Sequence, residues 1–330
     1  MTLTNPFTQR GRITDVERFA GRWAELSLIF ERLEAGRPVL ISGPPGIGKS
    51  SLLTHIVQSA AVNLEEPELR AFYLDLMDAT GADDVYRTVV EALDGRGDTL
   101  AALEVALLDV GEPVLLCLDN AQAPLAAGWG EMLLEALARV ARGGSLLLVV
   151  AVVGRPPLLS ERFAAIGLGA LAPAEVRLLI GAYLDDAGIS FTPAELREIA
   201  ELSAGHPAYV QRAAYHLFQS KLDPGLDWRA AYLAEARERP VPGAPLPPAV
   251  FEGQGNGRMG GSSYGQDQYA GVRDAPELLP LPEALPILPW AISLLVALLL
   301  LVATGSLPLA LLAAGVGLAG GLLWVRRSRS

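Results

Sequence analysis

The chain has 330 residues, of which 51% are hydrophobic and 19% charged, and a formal net charge of −11. This hydrophobicity excludes an intrinsically disordered chain, and the negative charge argues against a nucleic-acid binder held by bulk electrostatics, leaving room only for a local basic groove. A single cysteine excludes an intramolecular disulfide framework and a Cys-based zinc site.

The first ten residues contain no apolar h-region, so no cleaved signal peptide is expected. Residues 38–43 (PVLISG) are a short apolar run, and 49–61 read as a helix. Residues 70–76 alternate like a strand, while 113–119 (PVLLCLD) and 145–153 (SLLLVVAVV) are continuous apolar runs, as strands buried on both faces are. Helices are expected at 82–93, 100–110 and 129–141. This alternation predicts an α/β fold with a mostly parallel sheet covered on both faces. After residue 171 the pattern changes to helices at 173–187, 193–203, 208–222 and 228–236, with Thr192 as N-cap before Pro193. The expected organisation is an α/β core over 1–171 and a helical lid over 172–239.

Residues 240–286 hold nine prolines and eight glycines and read as a tether. Residues 284–325 then contain no charge over 42 positions. As one helix they would span on the order of 60 Å, against about 30 Å of membrane hydrocarbon. Gly305 to Pro308 supply a break. Two short transmembrane helices are therefore expected, at 288–304 and 308–325, within a hairpin region spanning 287–330. Trp290 and Trp324 would lie at one interface, Arg326, Arg327 and Arg329 would stay on the cytoplasmic side, and Gly317 and Gly321 allow close helix approach.

The chemistry begins at Gly43-Pro44-Pro45-Gly46-Ile47-Gly48-Lys49-Ser50, which matches G-x-x-x-x-G-K-[ST] between an expected strand and helix. Such a loop points backbone N–H groups at phosphates, with help from the helix N-terminus. Lys49 would meet the β- and γ-phosphates of ATP, Ser50 would bind Mg²⁺, and Ser51 follows in the same turn. Lysine occurs only at positions 49 and 221 among 26 basic residues. In a chain that otherwise uses arginine, Lys49 marks a need for a compact charge. Asp119 closes the strand at 113–119 and is the second expected metal-shell residue. Asn120 follows. An amide orients water but accepts no proton, so Asn120 favours slow hydrolysis or a binding switch, or else caps a helix. Arg155, after the strand at 145–153, is a candidate γ-phosphate sensor or arginine finger, with Arg162 as competitor and a solvated surface role as the alternative to both. His206, at a break between lid helices, either approaches the phosphates or is a turn histidine. Cys117 reads as a small buried hydrophobe.

Asn5-Pro6-Phe7, Phe19-Ala20-Gly21-Arg22 with Glu25, GPPGIGKSSLL, LLCLDNAQ and AGHPAYVQ resemble prokaryotic AAA+ ATPases of the origin-recognition-like and STAND (signal-transducing ATPase) groups, over about residues 5–222. The resemblance implies a sheet with a strand between those bearing the P-loop and Asp119. It also implies adenine held between the segment near Phe19–Arg22 and the lid, which adds Arg22 to the nucleotide-binding set. Members are ATP-dependent switches that assemble when active, so a homo-oligomer in the ATP state is expected. Asn120 departs from the usual acid, and the sensor repeats of large STAND proteins are absent. Three readings follow. One is a switch in signalling or defence, tethered to the cytoplasmic membrane with its ATPase domain in the cytosol. The second is a membrane-associated motor for envelope assembly or secretion, acting on an unknown protein client. The third is a non-hydrolysing scaffold. No nucleic-acid partner is expected, since no winged-helix domain follows the lid.

Overall fold

The computed structural model describes residues 4–8, 11–154, 162–185 and 187–252. The expected hairpin at 287–330, the tether beyond 252 and Arg155 lie outside the described residues.

Among the described residues, five parallel strands form one sheet: β1 (Val39–Ser42), β2 (Arg70–Asp75), β3 (Val114–Asp119), β4 (Leu146–Val152) and β5 (Ala164–Gly167), in the order β2-β3-β4-β1-β5. Strand β4 thus separates the P-loop strand from the Asp119 strand, as the resemblance implies. Successive side chains of a strand face opposite ways, and the two faces fill separate cores. Leu40, Leu116, Leu118 and Val150 pack with helices α3 (Ala82–Ala92), α4 (Leu100–Val110) and α6 (Gly130–Arg142). Val39, Ile41, Leu115, Cys117 and Val149 pack with α1 (Trp23–Glu34) and α2 (Lys49–Asn63).

The sequence reading assigned neither α1 nor β5, nor the short helix α5 (Gln122–Ala126). α1 buries Leu26, Ile29, Phe30 and Leu33, an i, i+3, i+4, i+7 stripe, so its signal was present. β5 reads Ala-Ala-Ile-Gly and has almost no strand propensity of its own. It exists because Val39–Ser42 offer it a paired edge.

The lid comprises α7 (Pro173–Leu184), α8 (Pro193–Leu202), α9 (Pro207–Leu222) and α10 (Trp228–Glu238) around a third core. Thr192 caps α8 as expected, its Oγ1 accepting from Glu195 N–H at 3.3 Å while Glu195 accepts from Thr192 N–H at 2.7 Å. The chain start belongs to this core. Phe7 stacks on Tyr183 at 5.2 Å, and Asn5 donates to the Tyr215 carbonyl at 3.0 Å.

The expected start of the tether at residue 240 is corrected. Val241 and Val250 are buried in the lid core, Leu246 packs against it, and 248–252 form helix α11 (Pro248–Glu252). Proline and glycine dominate the composition here, but the few apolar residues between them find a ready surface on α8 to α10.

Candidate nucleotide-binding site

The P-loop joins β1 to α2. Gly46 (φ 73°) and Gly48 (φ 100°) adopt left-handed backbone, which glycine takes without strain. Lys49 opens α2 and is buried. Its Nζ donates to the carbonyls of Gly43 and Pro44, both at 2.9 Å. Burial pushes its pKa down to about 8, against the pull of the Asp119 carboxylate. Ser50 follows in the first helical turn, and its carbonyl accepts from Thr54 Oγ1 at 2.9 Å. The Ser51 hydroxyl instead accepts from Ile13 N–H at 3.0 Å. That side chain ties the N-terminal segment to the start of α2, which leaves its backbone N–H as the group that can face a phosphate.

Asp119 ends β3 and is buried. Tyr73 O–H donates to its Oδ2 at 2.6 Å, and Asn120 N–H to its Oδ1 at 2.8 Å. Burial first, and the hydrogen bond to Asp119 second, push the Tyr73 hydroxyl far up, so it remains a donor. The Arg12 guanidinium lies over the Tyr73 ring, 4.2 Å from its centroid. Sequence reasoning missed Tyr73 and Arg12, because only strand pairing carries Tyr73 to Asp119.

Asn120 is left-handed (φ 57°). Its Nδ2 donates to Asp75 Oδ1 at 2.8 Å, and its Oδ1 accepts from Gln122 Nε2 at 3.1 Å. Gln122 in turn accepts from Val153 N–H at 3.3 Å. The Asn120 side chain therefore bridges the ends of β2 and β3 and does not cap α5, whose N-cap is Ala121.

From the lid, His206 reaches the loop: its Nε2 lies 3.1 Å from the Pro45 carbonyl. A carbonyl only accepts, so Nε2 carries the proton. Nδ1 is buried without a partner among the described residues, and burial holds the ring below its usual pKa, hence neutral. A Cβ on Gly46 would lie 2.9 Å from Val241 and 3.0 Å from the His206 ring, so lid and loop touch at a position only glycine allows.

Arg22 is buried, and its guanidinium is taken up by protein groups. It donates to Glu25 at 2.9 Å, to the Ile47 carbonyl at 3.3 Å and to the Gly169 carbonyl at 2.6 Å. Its backbone N–H donates to Glu175 of α7 at 2.8 Å. Through these bonds Arg22 holds the loop against the lid's first helix. Arg162 pairs with Glu135 of α6 at 3.1 Å on the surface, and Arg155 lies outside the described residues. The structure thus brings Lys49, Ser50, Asp119 and Asn120 to the strand ends, with Arg22 and His206 behind the loop. A separate cavity of about 450 Å³ between α1 and α2, lined by Trp23, Phe30, Glu31 and His55, includes none of the P-loop residues.

Residues 32–163 match the model of a family described as AAA domain. The chain carries a P-loop domain of the AAA ATPase type. Among solved structures it is similar to a Walker-type ATPase of Pyrococcus abyssi, with 15% identity over 71% of this chain and 76% of that one and a TM-score of 0.52. It is also similar to the Orc1 protein of Aeropyrum pernix, solved in complex with DNA (16% identity, 91% and 76% covered, TM-score 0.49). A third is the RuvB Holliday junction branch migration motor of Thermotoga maritima (19% identity, 68% and 73% covered, TM-score 0.47). At these identities the similarity to the Pyrococcus protein bears on the fold alone. No protein of curated function matches the chain.

Proposed function

We propose that the chain is an ATP-dependent switch of the AAA type that hydrolyses ATP slowly, assembles into a homo-oligomer in its ATP state, and is tethered to the cytoplasmic membrane in a signalling or defence role. The observation that carries the nucleotide part is the buried Lys49 at the head of α2, its Nζ held on the Gly43 and Pro44 carbonyls of the loop. The N–H groups of the loop would bind phosphates, and Lys49 would place its charge against them.

The residues fit Mg²⁺: Ser50 offers a hydroxyl and Asp119 a carboxylate, as in P-loop sites where phosphate oxygens complete the shell. Among the described residues no group of three His, Cys, Asp or Glu could hold a metal alone. When bound, the ion neutralises charge on the β- and γ-phosphates. The amide at Asn120 supports slow turnover, since it cannot take a proton. The contact of His206 and Val241 with Pro45 and Gly46 supports nucleotide sensing by the lid. The membrane part rests on the 42 uncharged residues at 284–325.

Full-length protein titrated with ATP·Mg²⁺, with turnover and assembly measured in the same sample, tests this reading. A switch shows tight binding, slow hydrolysis and ATP-dependent assembly. Steady client-stimulated turnover would identify the motor, and absence of both turnover and assembly change the scaffold.

A further inference from the structure

We infer that Asp75 accepts the proton of the attacking water, supplying from the neighbouring strand the acid that position 120 lacks. This rests on the reading of the chain as an ATP-hydrolysing switch. Strands β2 and β3 run in parallel register with Asp75 directly opposite Asp119, so both carboxylates stand at the strand ends where α/β folds place their ligands. Asp119 has both oxygens engaged, Oδ1 by Asn120 N–H and Oδ2 by Tyr73 O–H, and it is the carboxylate assigned to the metal shell. Asn120 is turned so that its Nδ2 faces Asp75. Among the described residues, both hydrogen bonds to Asp75 fall on Oδ1, from Asn120 Nδ2 at 2.8 Å and from Met77 N–H at 3.0 Å. The side chain is exposed, with Oδ2 on the other edge of the carboxylate. One amide and one carboxylate thus form a linked pair beside the metal-shell aspartate, with the carboxylate on β2.

The step balances. The water oxygen bonds to the γ-phosphorus as the bond from that phosphorus to the β–γ bridging oxygen breaks, leaving its electron pair on ADP. The water proton passes to Asp75 Oδ2 and from there to solvent.

In the full-length protein, Asp75→Asn keeps the side-chain shape and the Oδ1 acceptor but removes the base. ATP·Mg²⁺ affinity is expected to stay within about twofold while turnover falls on the order of 100-fold. The exchange variant, Asp75→Asn with Asn120→Asp, returns a carboxylate to the same pair and is expected to recover turnover roughly tenfold over the single variant. Should Asp75→Asn lose ATP binding as well, the exchange variant decides: recovery supports the assignment, and no recovery overturns it. Intact ATP binding with wild-type turnover in Asp75→Asn would overturn Asp75 alone, as would a wild-type protein that binds ATP without hydrolysing it. A wild-type protein that fails to bind ATP would overturn the switch reading together with it.

Discussion

Lys49 illustrates how burial tunes a residue for phosphate. Its pKa near 8 leaves it charged at neutral pH, and the charged form is the one that attracts phosphate. ATP affinity is therefore expected to be flat below about pH 8 and to weaken above it, by up to about tenfold per pH unit. Titrations at pH 7 and pH 9 check this, and Lys49→Ala is expected to abolish binding at either. Without nucleotide, the sign for stability is opposite. The unfolded chain, with the ordinary value of 10.5, holds the proton between pH 8 and 10.5 while the folded chain releases it. The contribution of Lys49 to stability thus rises with pH across that window. Arg22 is a residue whose role is mechanical. Arg22→Ala strips Glu25 and the carbonyls of Ile47 and Gly169 of a buried donor, and is expected to cost about 2–3 kcal/mol. Urea unfolding measures it.

At the scale of elements, the contact between lid and loop depends on two short segments. The turn before α9 brings Gly205 to φ 68°, with Leu171 N–H donating to its carbonyl at 2.9 Å. A Cβ there would lie 2.3 Å from the Leu171 carbonyl oxygen. Gly205→Ala is expected to destabilise on the order of 3 kcal/mol, combining positive φ with a backbone clash, and to loosen His206 from Pro45. The second segment follows α10. Val241 N–H donates to Tyr209 O–H at 3.1 Å, and Arg237 Nε donates to the Val250 carbonyl at 2.9 Å. A fragment ending at Arg239 removes Val241, Leu246 and Val250 from the lid core. It is expected to melt several degrees below a fragment ending at Glu252, since about 1 kcal/mol shifts the midpoint by roughly 2–4 °C in a domain of this size. Equal midpoints would mean that this segment adds nothing to the lid.

For the whole molecule, the proposed tether and site make a joint prediction. The full chain is expected in the membrane fraction, and a reporter fused after Ser330 is expected to read as cytosolic, because the three C-terminal arginines favour that side. A reporter found outside would mean a single pass or an inverted hairpin. ATP is expected to shift the detergent-solubilised protein to a larger species by sedimentation, and Lys49→Ala to leave it at the smaller one.

The sequence by itself determined what contiguous residues can encode. Glycines at 46 and 48, Lys49 and a following helix specify a P-loop within one short stretch, and VLLCLD reads as a buried strand closing on Asp119. Apolar runs revealed β1, β3 and β4, and alternation revealed β2, because side-chain periodicity is local. Periodicity tells which face a residue takes and is silent on which strand lies beside it. Only the tertiary structure therefore paired Tyr73 with Asp119 across 46 positions and Asp75 with Asn120 across 45. It also set His206 against Pro45, 161 positions away, and Arg22 against Gly169, 147 away. The same holds for β5 and for the segment at 241–250. Weak propensity in one and a Pro-rich composition in the other conceal their structure, which comes from the surfaces they meet.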